Sequence, residues 1–214
     1  MKIQPIVEGY GEVSAVPELL RRLLNESQTY ELKIGRPIRR KRSELVQETP
    51  LRRAVRLSLL QPECSAVLIL FDGDDDCPKE VAPMIQNWAV AEAGSVPCAV
   101  VMARREYEAW FLATVESLRG KCGIRPDASS HQDPEGPRGA KEVLEGYLFP
   151  GRTYSETADQ VRLTAAFDMG QAFARCRSFR KMTKAFGELV TGAGFNIRNW
   201  PPRAWSEEAI NSPL

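Results

Sequence analysis

The sequence predicts an α/β fold: a mostly parallel sheet with helices on both faces, followed by a helical C-terminal region. Three observations carry this. Short apolar runs at residues 2–7, 65–71 and 96–102 have strand length and are bounded by turn residues. Stretches with helical spacing alternate with them up to about residue 116. Beyond that point the strand pattern stops and helical periodicity dominates. The organisation read from this is an α/β core over residues 1–116, a loop or lid over 117–138, and a helical lobe over 139–214 packed on the core.

The 214 residues carry a net charge of +1 and are 43% apolar. That is enough for one good-sized core. Near-neutral charge argues against wholesale affinity for nucleic acid and leaves room for a local basic patch. No segment approaches the roughly 20 apolar residues that span a bilayer. The start of the chain lacks a signal-peptide pattern, so a cytoplasmic protein with no membrane partner is expected. The five cysteines form no CxxC pair and there is a single histidine, His131. Reduced thiols without a zinc site follow from that.

Taken in order, residues 2–7 form a strand that ends at Glu8-Gly9-Tyr10-Gly11-Glu12. The glycines allow a tight turn, and a helix follows from about Glu12, with Val16, Leu19, Leu20, Leu23 and Leu24 on one face. Pro17 is tolerable there if it lies in the first turn. A second strand is expected over 29–34. The densest basic run follows at 36–42 and includes Arg39 and Arg40, which suit phosphate contacts. A helix over 51–60 precedes the central strand, 65–71. That strand opens into Asp72-Gly73-Asp74-Asp75-Asp76. A helix over 78–93 ends at Gly94, and a strand over 96–102 runs into Glu106 and Glu108.

The loop 117–138 is rich in Gly, Pro, Asp and Ser. Helices are expected over 139–148 and 155–189. Arg177, Arg180 and Lys181 cluster near an expected helix start at Ser178, a pattern suited to clamping phosphate. Trp200 and Trp205 are expected to pack the tail onto the body.

Right-handed crossovers place all the acidic strand ends on one edge of the sheet. Ligands of open α/β sheets bind at that edge. Three chemistries suit such a cluster. A calcium loop of EF-hand type fails, because position twelve falls on Pro83 and position six is not glycine. A phosphoryl-accepting aspartate stays open as the minor alternative, since the first strand offers Glu8-Gly9 and no clear lysine partner stands out. A metal-assisted phosphodiester site uses the whole set. Glu8, Asp72 and Asp74 are its catalytic candidates. Glu8, Glu12, Asp72, Asp74, Asp76, Glu106 and Glu108 are its metal ligands, for Mg²⁺ or Mn²⁺. Arg39, Arg40, Arg177, Arg180 and Lys181 would contact the substrate.

A strand ending in Glu8-Gly9, a later strand ending in Asp72-x-Asp74, and parallel alternation between them resemble the Toprim domain. That domain occurs in topoisomerases, bacterial primases, recombination proteins and OLD-family nucleases. Val7-Glu8-Gly9-Tyr10-Gly11-Glu12 looks closest to the OLD-like nucleases. The stretches 106–112 and 177–181 look like a small stand-alone Toprim-like family of bacteria. The resemblance implies a metal-dependent nuclease acting on DNA or RNA, working beside an ATPase partner in antiphage defence. It makes Glu8 the general acid/base or a metal ligand, Asp72 and Asp74 metal ligands, and Glu12 a ligand of a second metal. No tyrosine is assigned as a topoisomerase nucleophile, and no primase zinc module is present. The opposing expectation is a non-catalytic scaffold or regulatory subunit of an ATPase complex.

Overall fold

A computed structural model describes residues 1–206. Its sheet is five-stranded and wholly parallel, in the order β2-β1-β4-β5, with β3 also pairing β1. The strands are β1 (Lys2–Val7), β2 (Lys33–Ile34), β3 (Ile38–Arg39), β4 (Cys64–Asp72) and β5 (Cys98–Ala103). The core helices are α1 (Glu12–Glu26), α2 (Arg42–Leu45), α3 (Glu48–Leu59), α4 (Pro78–Ala93), α5 (Ala109–Leu112) and α6 (Val115–Leu118). The C-terminal region adds α7 (Ala140–Glu145), α8 (Glu156–Ala166), α9 (Met169–Arg175) and α10 (Arg177–Gly192). The expected α/β class with its helical C-terminal region is what forms.

The central strand explains the architecture. Side chains alternate across a strand, and β4 buries both faces. Ala66, Leu68 and Leu70 enter the larger apolar cluster with α1 and the C-terminal helices. Val67, Ile69 and Phe71 enter the second cluster with α3 and α4. A strand covered on both sides has no polar face, hence its unbroken apolar sequence. Phe167, Phe179 and Phe186 of the C-terminal region share the first cluster with Trp110 and Phe111. The expected C-terminal lobe is thus continuous with the core, and its residues 207–214 lie outside the described part. Trp200 and Trp205 pack as expected, with Trp200 against Phe186 and Trp205.

Several boundaries differ from expectation. Only Lys33–Ile34 of the 29–34 strand pairs with β1, because Gln28 turns the chain at a φ of 55°. The basic run is not a free arm, since Ile38–Arg39 pairs with Ile6–Val7. Pro17 lies in the second turn of α1 rather than the first. The long helix expected over 155–189 breaks twice. Asp168 caps α9 through a 2.9 Å bond from the Gln171 amide, and Cys176 is extended (φ −110°, ψ 118°). The 117–138 segment begins within α6 and is pinned down. The Ser130 amide donates to Glu116 at 2.7 Å, the His131 amide donates to Leu112 O at 3.1 Å, and Leu118, Ile124 and Ala128 are buried.

The C-terminal helices meet the core at a glycine. A Cβ on Gly11 would strike the Gln160 side chain and lie 2.6 Å from the Glu156 carbonyl oxygen of α8. Backbone cannot yield as a side-chain tip can. Gly11→Ala is expected to destabilise the protein by about 1–3 kcal/mol, read as a lower urea midpoint at unchanged slope.

Candidate functional site

Parallel pairing brings three strand ends to one edge. Val7 pairs with Leu70, and Asp72 pairs with Ala103, so Glu8, Asp72 and the 104–108 turn emerge side by side. A cleft of ≈ 250 Å³ opens there, its floor formed by Glu8, Glu12 and Asp72. Arg39, Lys41 and Arg42 stand on one side, and Lys141, Glu156 and Gln160 on the other.

Each acidic side chain is held by backbone or by a neighbour. Glu12 folds back from the first turn of α1, and one oxygen accepts from the amides of Glu8 (2.8 Å) and Gly9 (2.9 Å). Asp72 accepts from the Tyr107 amide at 2.8 Å, which ties β4 to the turn after β5. Glu108 is fully buried and accepts from the Tyr154 hydroxyl (2.7 Å) and from the Gln160 side-chain Nε2 (3.1 Å). Glu8 lies partly buried beside the Asp72 backbone. Three buried acceptor oxygens here have no hydrogen-bond partner among the described residues: Glu8 Oε2, Glu108 Oε2 and Gln160 Oε1. A cluster short only of donors is completed by a proton, a water or a cation.

The electrostatics agree. Burial pushes the Glu12 carboxyl up to about 7, with Glu8 and Glu108 adding repulsion against its amide bonds. Burial likewise pushes Glu108 up to about 7, against the opposing pull of Lys141. Asp72 is raised well above its ordinary value by burial, then by Glu12 and Glu108. Glu8 is raised by burial and then by Asp74. Burial works against the charge on Lys141, but Glu108, Glu156 and Asp72 outweigh it and hold the ammonium charged. Lys141 also pairs with Glu156.

Of the expected set, Glu8, Glu12, Asp72 and Glu108 come together. The others are engaged elsewhere. Asp76 is turned away and paired with Arg42, which also holds Asp74 through its Nε at 3.2 Å. Arg42 binds the Asp72 and Gly73 carbonyls too, so one guanidinium closes the aspartate loop from outside. Asp74 is near enough to raise Glu8, but it is exposed, with its carboxylate on that arginine. Glu106 accepts from the Lys141 amide at 3.1 Å and holds the start of α7, so Glu108 is the member that faces the site.

Among the basic residues, Arg39 stands at the cleft. Its guanidinium lies 4.0 Å from the centre of the exposed Tyr10 ring. Arg40 donates to the Arg39 carbonyl instead and does not line the cleft. Arg177 and Lys181 line a separate groove, and Arg180 donates to the Phe173 and Ala174 carbonyls. The expected phosphate position at the start of α10 is filled by Glu135, whose oxygens accept from the Arg177 and Ser178 amides at 2.8 Å each. The helix starts at Arg177 rather than Ser178. Sequence reasoning did not single out Arg42, Lys141, Tyr154 or Gln160. Arg42 lay within a basic run, and the other three have no local pattern that marks them.

Glu108 offers a direct test of this electrostatics. Tyr154→Phe removes a donor to a buried carboxylate. It is expected to cost about 1.5–3 kcal/mol at pH 8 and less at pH 5, where Glu108 holds a proton. Chemical denaturation at the two pH values checks this.

Fold and site together define a parallel α/β protein with an acidic, basic-rimmed cleft at the carboxyl ends of its strands. The chain belongs to the family described as Domain of unknown function (DUF4276), which matches residues 7–186. No curated protein and no solved structure matches it. Among the described residues, no helix is long and apolar enough to cross a membrane.

Proposed function

We propose that this protein is a Toprim-type nuclease of the cytoplasm that uses Mg²⁺ or Mn²⁺ to hydrolyse phosphodiesters of DNA or RNA, acting with an ATPase partner in antiphage defence. One observation carries the reading: Glu8, Glu12, Asp72 and Glu108 converge from separate segments with two of their oxygens unpartnered, beneath a rim of Arg39, Lys41 and Arg42. The donor set fits a hard divalent ion, being all oxygen and mutually repelling. Among the described residues, no three His, Cys, Asp or Glu side chains stand as a ready cage. Mg²⁺ tolerates that, because it keeps several waters and takes one or two carboxylates plus substrate phosphate.

Glu8 and Asp72, open to the cleft, would hold the ion, with Glu12 and Glu108 behind them. The ion would make bound water a nucleophile near neutral pH and stabilise charge on the phosphate. The chain's own groups position the substrate. Arg39 and Lys41 offer charge to the polyanion at one lip, and Lys141 offers an ammonium at the other. Glu8, whose carboxyl is raised above its ordinary range by burial and then by Asp74, is the group placed to exchange a proton at the cleft.

A second reading is a non-catalytic module of an ATPase complex. The missing ready-made cage and the engagement of Asp74 and Asp76 by Arg42 favour it. The two readings part on one experiment: incubation with DNA and RNA in Mg²⁺ or Mn²⁺, alongside Asp72→Asn and Glu8→Gln. Cleavage by the wild type that both variants lose supports the nuclease. Absence of cleavage together with absence of calorimetric metal binding leaves the scaffold.

A further inference from the structure

Arg177 and Lys181 belong to a groove of ≈ 1130 Å³ that runs along the outer edge of β5, between α4 and α10. β5 ends the sheet. The Val67 amide donates to Pro97 O and the Gly73 amide to Ala103 O, each at 2.8 Å. Residues 97, 99, 101 and 103 therefore present their backbone groups to β4, and Cys98, Val100 and Met102 present theirs outward. Gln86 of α4 stands in for part of a neighbouring strand. Its amide nitrogen donates to Cys98 O at 2.8 Å, and its oxygen accepts from the Val100 amide at 2.7 Å. Beyond it, Val100 O and both backbone groups of Met102 have no hydrogen-bond partner among the described residues. Val100 and Met102 are only 2% and 3% exposed, so this unpaired edge lies at the bottom of the groove; an unpaired edge is a template for another strand.

The groove also carries a small excess of positive charge. Lys79, Arg104, Arg177 and Lys181 line it, and none forms an ion pair among the described residues. Three carboxylates face these four cations: Asp133, Glu135, which is held by two amides, and Glu188, which pairs with Lys184. Ala82, Pro83, Ala185 and Leu189 supply apolar wall. Nucleic acid has no use for an open strand edge between apolar walls. An extended peptide uses both, and acidic side chains complement the cations.

We propose that this groove docks an extended acidic segment of a partner protein, which adds to β5 as a further strand. The site is distinct from the acidic cleft and does not depend on the nuclease reading.

The test uses the full chain and a displayed library of random dodecapeptides. Enriched peptides are expected to be acidic and rich in strand formers. A synthetic copy of the most enriched peptide should slow hydrogen exchange at the Met102 amide. Lys79→Glu combined with Lys181→Glu, both exposed positions, should weaken it about tenfold or more while circular dichroism stays unchanged. Failure of the library to enrich, enrichment of non-acidic peptides, or unchanged Met102 exchange would each overturn the proposal. So would a single-stranded DNA oligonucleotide that protects the Met102 amide, since the groove would then serve nucleic acid.

Discussion

Asp72→Asn is expected to lower metal-dependent cleavage by about 10²–10³-fold or more, the scale of losing one electrostatic contact to the reacting group. Asp72 is the member through which the site is wired. It ends the central strand, accepts from the Tyr107 amide, and is raised by burial first and then by Glu12 and Glu108. Asparagine keeps the shape and the bond from Tyr107 but gives up the charge. The metal-free fold should therefore survive, and above neutral pH it should become more stable as repulsion falls. Loss of activity with gain of apo stability separates a functional carboxylate from a structural one. A variant that loses both would mark Asp72 as structural. Initial rates and thermal melts on the same preparation read the two effects.

The second large effect is on stability. Glu12 and Glu108 shift from 4.5 to about 7 in the folded chain, chiefly through burial. Below pH 4.5 the folded and unfolded states both hold these protons. Between pH 4.5 and 7 the folded state holds more, so metal-free stability falls as pH rises and levels off above 7. The total is on the order of a few kcal/mol. A bound cation compensates the ionised carboxylates. Mg²⁺ is therefore expected to raise the Tm at pH 8 by several degrees, at roughly 2–4 °C per kcal/mol for a chain of this size, and by much less at pH 5. Scanning fluorimetry over pH with and without Mg²⁺ reads this directly. Metal-free stability that climbs from pH 5 to 8, or an unmoved Tm with Mg²⁺, would contradict the account.

What the sequence revealed and what it hid follow from the range of the forces involved. The central strand was legible because burial on both faces forces an unbroken apolar run ending at Asp72. That Glu8 and Asp72 would meet a carboxylate from the turn after β5 followed from topology, since parallel strands share one carboxyl edge, but which of Glu106 and Glu108 it would be did not. Glu12 was legible from its place four residues after Glu8. Lys141, Tyr154 and Gln160 were not, because they reach the cluster only through the packing of the C-terminal region on the core, with Gln160 arriving at the Gly11 turn. Asp74 and Asp76 read as ligands because proximity to Asp72 is visible in a sequence and the reach of Arg42 across the fold is not. The basic cluster at Arg177 read as an anion site for the same reason, because Glu135, which fills it, lies 42 residues away.

Anomalous diffraction from crystals soaked in Mn²⁺ locates the ion itself. A peak is expected in the cleft, with carboxylate oxygens of Glu8 and Asp72 at roughly 2.1 Å from the ion. A cleft without a peak, or a peak held only by Asp74, Asp75 and Asp76, would contradict it.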